Sequence, residues 1–187
     1  MAAPPVSLPR RSVLAAGVVA AVAAAVGRPD ASARAIFQRG MSGGGLAQVE
    51  GEGPPQLANF GLFASAMQLP DGNTLVLGQI QWIEVGSDFR LQSTQVLSCV
   101  PTQDRPDGAE VRGRMSANGE GDYPFVIRAM DSGLPGSGLD RVEIGVNTDA
   151  ARQGADPPSD DGFAYEVAAA VVAGDLQWIV ADIDLGS

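Results

Sequence analysis

The chain has no histidine and no lysine, and it has only one cysteine, Cys99. Without histidine, the sequence excludes histidine-based catalytic triads, histidine zinc sites and a histidine general base. A single cysteine also excludes an intramolecular disulfide. Because Cys99 falls within an apolar strand pattern, we expect its thiol to be buried and inert rather than reactive.

Basic residues are few compared with acidic ones. The 187 residues include 12 arginines against 22 aspartates and glutamates, a formal net charge of −10 at pH 7. Such a chain should repel nucleic acid and anionic lipid. The charge favours cations or basic partners, or it serves solubility alone. We therefore expect no nucleic-acid partner.

The N-terminal segment has the pattern of an export signal. Arg10 and Arg11 precede an apolar run that is too short to span a bilayer comfortably. Ala31 and Ala33 form an A-x-A cleavage site that ends this segment. We predict a twin-arginine signal peptide over 1–33, helical or disordered, with no membrane attachment after cleavage. An anchor that is never cut is the alternative. Cleavage leaves nine arginines against 21 acidic residues, a net charge of −12.

The remaining chain has the pattern of a single β-domain. Apolar residues alternate with period two in short segments that Gly, Pro, Asn and Asp separate. The prediction is a flexible N-terminus over 34–42 and one β-domain over 43–187. The predicted strands are 46–50, 57–68, 74–85, 89–100, 109–116, 123–130, 139–146, 163–172 and 176–183. The fold class is all-β, an antiparallel β-sandwich or barrel of about eight to nine short strands.

Several local details of these strands can be predicted. A glycine in mid-strand, Gly78, suggests a bulge or a close backbone approach. On the fourth strand, Phe89, Leu91, Leu97 and Cys99 are in phase and should share one face. The triplet 43–45 should be a flexible glycine lead into the domain, and the last two strands should form a hairpin turned at residues 173–175.

A central hairpin organises the chain. Asn118-Gly119 is a tight-turn signal, because both residues tolerate positive φ. Period two then places alternate residues of 123–130 on one face. A Gly- and Pro-rich loop follows, and Asp131 and Asp140 flank it.

The motifs of this chain resemble a known family in their order. Those motifs are Gly43-Gly44-Gly45, Phe60-Gly61-Leu62-Phe63, the strand from Gly78 to Glu84, Asn118-Gly119, Tyr123 to Ile127, the segment from Asp131 to Gly136, and Asp140. Over 41–179 the chain resembles the small secreted bacterial Gly-rich β-domain called post-COAP-1. Ser132 and Leu134 depart from that family's usual Asn and Glu, and 147–162 looks like an insertion. The resemblance implies a β fold on an exported or surface protein, with no established catalytic role.

Asp131 and Asp140 are the candidate metal ligands. Two carboxylates around one loop, together with backbone carbonyls, suit Ca²⁺, which prefers oxygen ligands. The alternative is turn chemistry, in which Asp131 binds its own loop backbone. Calcium is the one candidate ion, and we expect no organic cofactor.

Three other patterns suggest chemistry more weakly. Residues 129–133 resemble one aspartic-protease motif, but such enzymes need two carboxylates. The acidic loop with Asp156, Asp160 and Asp161 suggests a glycosidase, although a chain so acidic would place some carboxylates close together by chance. The side chains of Trp82, Trp178, Tyr123 and Tyr165 suggest either a sugar-binding platform or core packing.

We therefore expect an exported, non-catalytic binding or structural β-domain whose partner is a ligand of the cell envelope or the extracellular space. No catalytic residue is assigned. The alternative is a small secreted hydrolase that depends on carboxylates, and the sequence names neither substrate nor ligand.

Overall fold

The computed structural model describes residues 36–51, 53–69, 71–103, 105, 107–134, 137–147 and 163–183. Eight β-strands account for most of them: β1 Ile36–Val49, β2 Gln56–Gln68, β3 Thr74–Glu84, β4 Arg90–Pro101, β5 Gly108–Ala117, β6 Glu120–Met130, β7 Arg141–Val146 and β8 Tyr165–Ile183. Each strand pairs antiparallel with the next, and β8 pairs with β1, so the sheet closes into a barrel. The all-β prediction is confirmed, with a barrel of eight strands.

Several predicted features lie outside the described residues. They are Arg10, Arg11, Ala31 and Ala33 of the signal peptide, and nearly all of the acidic loop. Among the described residues, no helix has the length and hydropathy that crossing a membrane would require.

Inward side chains fill the barrel interior. In β2, β6 and β7 the apolar residues predicted to share one face lie inside or against the core, and in β6 the intervening Pro124 and Val126 are buried as well. Those that are essentially inaccessible to solvent include Trp82, Phe125, Met41, Leu91, Met115 and Ile127. Because these side chains come from several different strands, the interior is a packed core.

The predicted boundary at residue 43 is wrong, because β1 begins at Ile36 and the glycine triplet lies inside that strand. Gly45 pairs with Gly174 of β8, and an added Cβ on either residue would overlap backbone of the facing strand. Both residues have positive φ, 153° for Gly45 and 106° for Gly174. The glycines therefore allow β1 and β8 to approach each other closely, and they do not form the flexible segment that was predicted ahead of the domain.

The same contact corrects the prediction of a final hairpin. Residues 165–183 form one continuous strand, β8, and Gly174 is a position within it. The register with β1 shifts between Leu46 and Ala47, whose partners are Ala173 and Val171, so Val172 is the extra residue of a bulge. Because glycine marks both turns and bulges, its sequence signal was ambiguous here.

The tight turn between β5 and β6 is confirmed. Asn118 and Gly119 have φ values of 54° and 81°, and Ala117 pairs with Glu120 across the turn. Two consecutive residues with positive φ match the right-handed twist of the flanking strands.

The predicted phase of β4 is wrong at Leu97. Its pairing with β5 shifts register twice, between Ser93 and Gln95 and again between Val96 and Ser98. Each bulge inserts a residue and moves the following side chains to the opposite face. As a result, Val96 and Cys99 point into the core, while Leu97 is 38% exposed.

Three of the eight strand junctions have six residue pairs or fewer, and the ladders of two of them, β3/β4 and β7/β8, stop short of the same end of the barrel. The β3/β4 seam has three residue pairs, from Gln81↔Gln92 to Ile83↔Arg90. The β7/β8 seam has six pairs, from Arg141↔Ala170 to Val146↔Tyr165. Both ladders stop on the same side of the barrel, since neighbouring strands alternate in direction. At that end β8 extends beyond β7, whereas β3 and β4 both continue without pairing to each other.

Candidate functional site

Asp131 and Asp140 lie at the β7/β8 seam, against the part of β8 that extends beyond β7. The Oδ2 atom of Asp140 accepts the backbone N–H of Leu176 at 3.0 Å, and Oδ2 of Asp131 accepts that of Trp178 at 3.0 Å. The backbone N–H of Val171 donates to the carbonyl oxygen of Asp140. The loop between β6 and β7 therefore replaces a missing strand and satisfies this edge of β8.

Asp140 is the central group of this arrangement. It is 3% exposed, and its Oδ1 accepts the backbone N–H of Ser132 at 2.9 Å. One buried carboxylate thus binds its own loop and β8 at once. Hydrogen bonds to an ionised acceptor are about twice as strong as neutral ones.

The structure brings the two candidate calcium ligands together on β8, with three of their four carboxylate oxygens accepting backbone N–H groups. The described residues contain no group of three or more Cys, Asp or Glu side chains placed to hold a metal ion. Calcium binding remains a prediction. An increase in melting temperature with Ca²⁺, reversed by EDTA, would support it, and an unchanged melting temperature would reject it.

A second polar cluster lies at the opposite end of the barrel and was not predicted. The hydroxyl of Tyr165 donates to Oε1 of Glu84 at 2.9 Å. The Gln56 amide and the Ser87 hydroxyl donate to Oε2 at 3.0 and 3.1 Å. Three neutral donors therefore hold one carboxylate at the mouth where β2, β3 and β8 meet.

Aromatic packing orients Tyr165 in this mouth cluster. Its ring lies 4.7 Å from that of Phe89, tilted by 35°. Burial, and then the hydrogen bond and charge of Glu84, raise the pKa of Tyr165, while the nearby indole of Trp82 opposes the shift. The phenol is thus a proton donor throughout the physiological range. Nε1 of Trp82 is buried, and it makes no hydrogen bond with a described residue.

The cluster has limited chemical capacity. Glu84 could accept a proton or pair with a cation, and Tyr165 could donate a proton. Glycoside hydrolysis requires a pair of opposed carboxylates, whereas the hydrogen bonds of the mouth cluster involve one carboxylate, that of Glu84. Sequence reasoning missed the pair because Glu84 and Tyr165 are 81 residues apart. The one available signal was period two in β3, which places Trp82 and Glu84 on the same inward face.

A shallow depression lies beside the mouth. Its volume is about 520 Å³, and it is lined by Gly53, Pro54, Pro55, Gln56, Leu57 and Val85. Its walls are mostly apolar, and Gln56 is shared with the mouth cluster. Val85 is 49% exposed at its rim.

The other predicted candidates behave as core or structural groups. Trp82 is buried, and Tyr123, Tyr165 and Trp178 are half-buried against the core, which is the packing alternative to a sugar platform. Cys99 is buried as predicted, and burial raises the pKa of its thiol to about 11. At pH 7 this thiol is therefore protonated and a poor nucleophile.

Comparison of this chain with protein-family models, curated proteins and solved structures found no match.

Proposed function

We propose that this chain is an exported, non-catalytic binding or structural β-domain, acting on a ligand of the cell envelope or the extracellular space. The twin-arginine pattern and the A-x-A site support export. The barrel architecture supports a scaffold that presents its strands, ends and loops to a partner.

The packed interior is the observation that carries the binding proposal. Bulky side chains such as Trp82, Phe125 and Met115 occupy the space where a barrel with a cavity would hold a small ligand. A ligand must then bind to the outer surface, to an exposed strand edge or to a barrel end. Such surfaces suit a macromolecular partner better than an enclosed small molecule.

A sedimentation assay tests this proposal. The protein would be mixed with purified envelope of the producing organism, with calcium or with EDTA, and the bound fraction measured against protein concentration. We expect saturable binding, because a specific surface has a finite number of partners. Heat-unfolded protein is the matched control. Binding that never saturates, or no binding in either condition, would overturn the proposal.

The second candidate function is a small secreted hydrolase that depends on carboxylates, and the mouth cluster is the observation that favours it. Glu84 and Tyr165 together offer a proton acceptor and a proton donor beside an open depression. Release of soluble fragments from purified envelope, lost in Glu84→Gln and retained in Asp88→Asn, would support the hydrolase. Equal release by both variants, or none by the wild type, would reject it.

A further inference from the structure

Among the described residues, no strand pairs with the backbone edge of β3 that faces β4 over residues 74–79, and this edge is called open here. Its ladder with β4 covers only residues 81–83, and the next N–H, that of Ile80, donates to the Ser93 hydroxyl at 2.8 Å. Alternate residues of a strand direct their N–H and C=O groups to the same side. Val76 and Gly78 therefore present theirs toward the side on which β4 has departed.

The edge is open because β4 turns beneath β3 instead of continuing beside it. The Val96 side chain packs against Gly78, where an added Cβ would lie 2.7 Å from Val96 Cγ2. Farther along β4, Sγ of Cys99 lies 3.6 Å from the carbonyl oxygen of Ala64 on β2. These contacts place β4 against the inner face of β2 and β3. The plane beside the β3 edge is left free, and Gly78 itself is exposed.

The sequence of this edge lacks the charges and prolines that often protect an exposed strand. The segment 74–83 contains no charged residue and no proline. Natural proteins block open edges with charges, prolines, bulges or a covering loop, since unpaired backbone recruits other strands. The extended edge of β8 is covered in this way by Asp131 and Asp140.

We propose that the edge of β3 at residues 74–79 binds an extended segment of a partner protein, which adds to the sheet as an antiparallel strand and carries basic residues at its ends. This assignment depends on the proposed binding function and gives that function a site. Backbone groups of Val76 and Gly78 would pair with the segment, and the half-buried side chains of Leu75 and Leu77 would contact its apolar residues.

Charge selects this occupant over a second copy of the chain. Two copies would bring a net charge of −10 against −10 across the uncharged edge. A segment with terminal lysines meets attraction instead. The exposed carboxylate of Asp71 lies just before β3, and its hydrogen bonds with Asn73 lower its pKa and keep it ionised.

The test uses two synthetic probes with the full chain. One is the heptapeptide Lys-Val-Thr-Val-Thr-Val-Lys, and its matched control has glutamate at both ends. We expect saturable binding of the lysine probe, at least tenfold tighter than that of the control, and slower hydrogen exchange at the amides of Val76 and Gly78. Absence of saturable binding, or protection elsewhere, would overturn the proposal.

Substitution on β3 makes the test specific. Gln79→Lys places a positive charge on the open edge, and we expect at least tenfold weaker binding of the lysine probe. Gln81→Lys is the matched control, because Gln81 is also exposed but pairs on both sides, and this variant should bind the lysine probe like the wild type. Val76→Pro removes an edge N–H and should abolish binding. If Val76→Pro does not fold, the comparison of Gln79→Lys with Gln81→Lys still tests whether the probe binds at this edge.

The envelope assay separates failure of this site from failure of the proposed function. Envelope binding by the wild type that Gln79→Lys leaves unchanged would overturn the β3 site and leave the binding function standing. Loss of envelope binding in Gln79→Lys but not in Gln81→Lys would support both. Sedimentation equilibrium provides the last check. If the wild type is a dimer and Gln79→Lys is a monomer, the β3 edge binds a second copy of the chain, and the proposal of a partner segment is overturned.

Discussion

The β7/β8 and β3/β4 seams of the barrel have different backbone environments. At the β7/β8 seam, the loop between β6 and β7 covers β8, and carboxylates accept the N–H groups of Leu176 and Trp178. At the β3/β4 seam, one serine hydroxyl accepts a single N–H, that of Ile80. In both places a strand loses the pairing of its neighbour, because β8 extends beyond β7 and β4 leaves the side of β3. The loop between β6 and β7 covers the backbone of β8, whereas the edge of β3 is open.

The difference shows that closure of a barrel is a local property. An unpaired backbone group buried away from water is costly, so the N–H of the buried residue Leu176 needs its carboxylate acceptor. The β3 edge is exposed, and water can solvate it. An exposed edge can therefore remain available to a partner, whereas a buried edge cannot.

The largest expected effect on stability comes from removing the carboxylate of Asp140, which holds the loop between β6 and β7 on β8. Asp140→Ala deletes two hydrogen bonds and leaves the N–H of Leu176 buried without an acceptor, at a cost of about 3 kcal/mol in the free energy of unfolding. Urea denaturation measures this. The control Asp71→Ala, in an exposed turn, should cost far less. Equal losses in the two variants would show that Asp140 does not hold the seam.

A smaller effect on stability is expected from a substitution that crowds the contact between β3 and β4 at Gly78. Gly78→Ala places a methyl group against Val96 and about 2.8 Å from the carbonyl oxygen of Phe63. We expect a loss of about 2 kcal/mol in the free energy of unfolding, typical of overpacking. Gly61→Ala is the matched control, because an added Cβ there meets nothing within 4 Å. A change in Gly78→Ala no larger than in Gly61→Ala would contradict the packing of β4 beneath β3.

Ser93→Ala removes the one side-chain cap of the open seam. The N–H of Ile80 loses its acceptor, and we expect a loss of about 1 kcal/mol in the free energy of unfolding. Native-state hydrogen exchange at Ile80 should accelerate in this variant. Ser116→Ala serves as the control, because the Ser116 hydroxyl makes only a long bond of 3.4 Å to the Gln92 carbonyl. An unchanged hydrogen-exchange rate at the Ile80 amide would show that the Ser93 hydroxyl does not protect this N–H.

The smallest effect concerns Cys99, which lies beneath the open seam. Burial raises its pKa from 9.0 to about 11, so the folded state favours the neutral thiol. The unfolded chain releases this proton near pH 9, and stability should therefore fall as the pH rises from 9 through 11. The decline should be smaller in Cys99→Ala, by the contribution of this one group. Parallel stability curves for the two proteins would show that the thiol is not desolvated.

Much of the fold was predictable because it depends on local chemistry. The apolar alternation in β2, β6 and β7 identified strands and their inward faces. The turn at Asn118-Gly119 was predictable because few residues tolerate positive φ. The bulges of β4 were not predictable, because a register shift depends on the partner strand. For this reason Leu97 was assigned to the wrong face.

The sites were less predictable than the strands. Sequence reasoning singled out Asp131 and Asp140, but their hydrogen bonds to β8 join residues 36 and 47 positions apart. The mouth cluster depends on Glu84 and Tyr165, which are separated by most of the barrel in sequence.

By itself, the sequence determined an acidic, histidine-free, all-β domain with strands and turns at nearly the observed places. Local periodicity and turn chemistry carry that information, because they act between residues close in the chain. Only the tertiary structure decided that β8 is continuous, that β4 passes beneath β3, and that one strand edge is covered while the other is open. Those outcomes depend on which distant backbones meet, and a single sequence does not encode that choice locally.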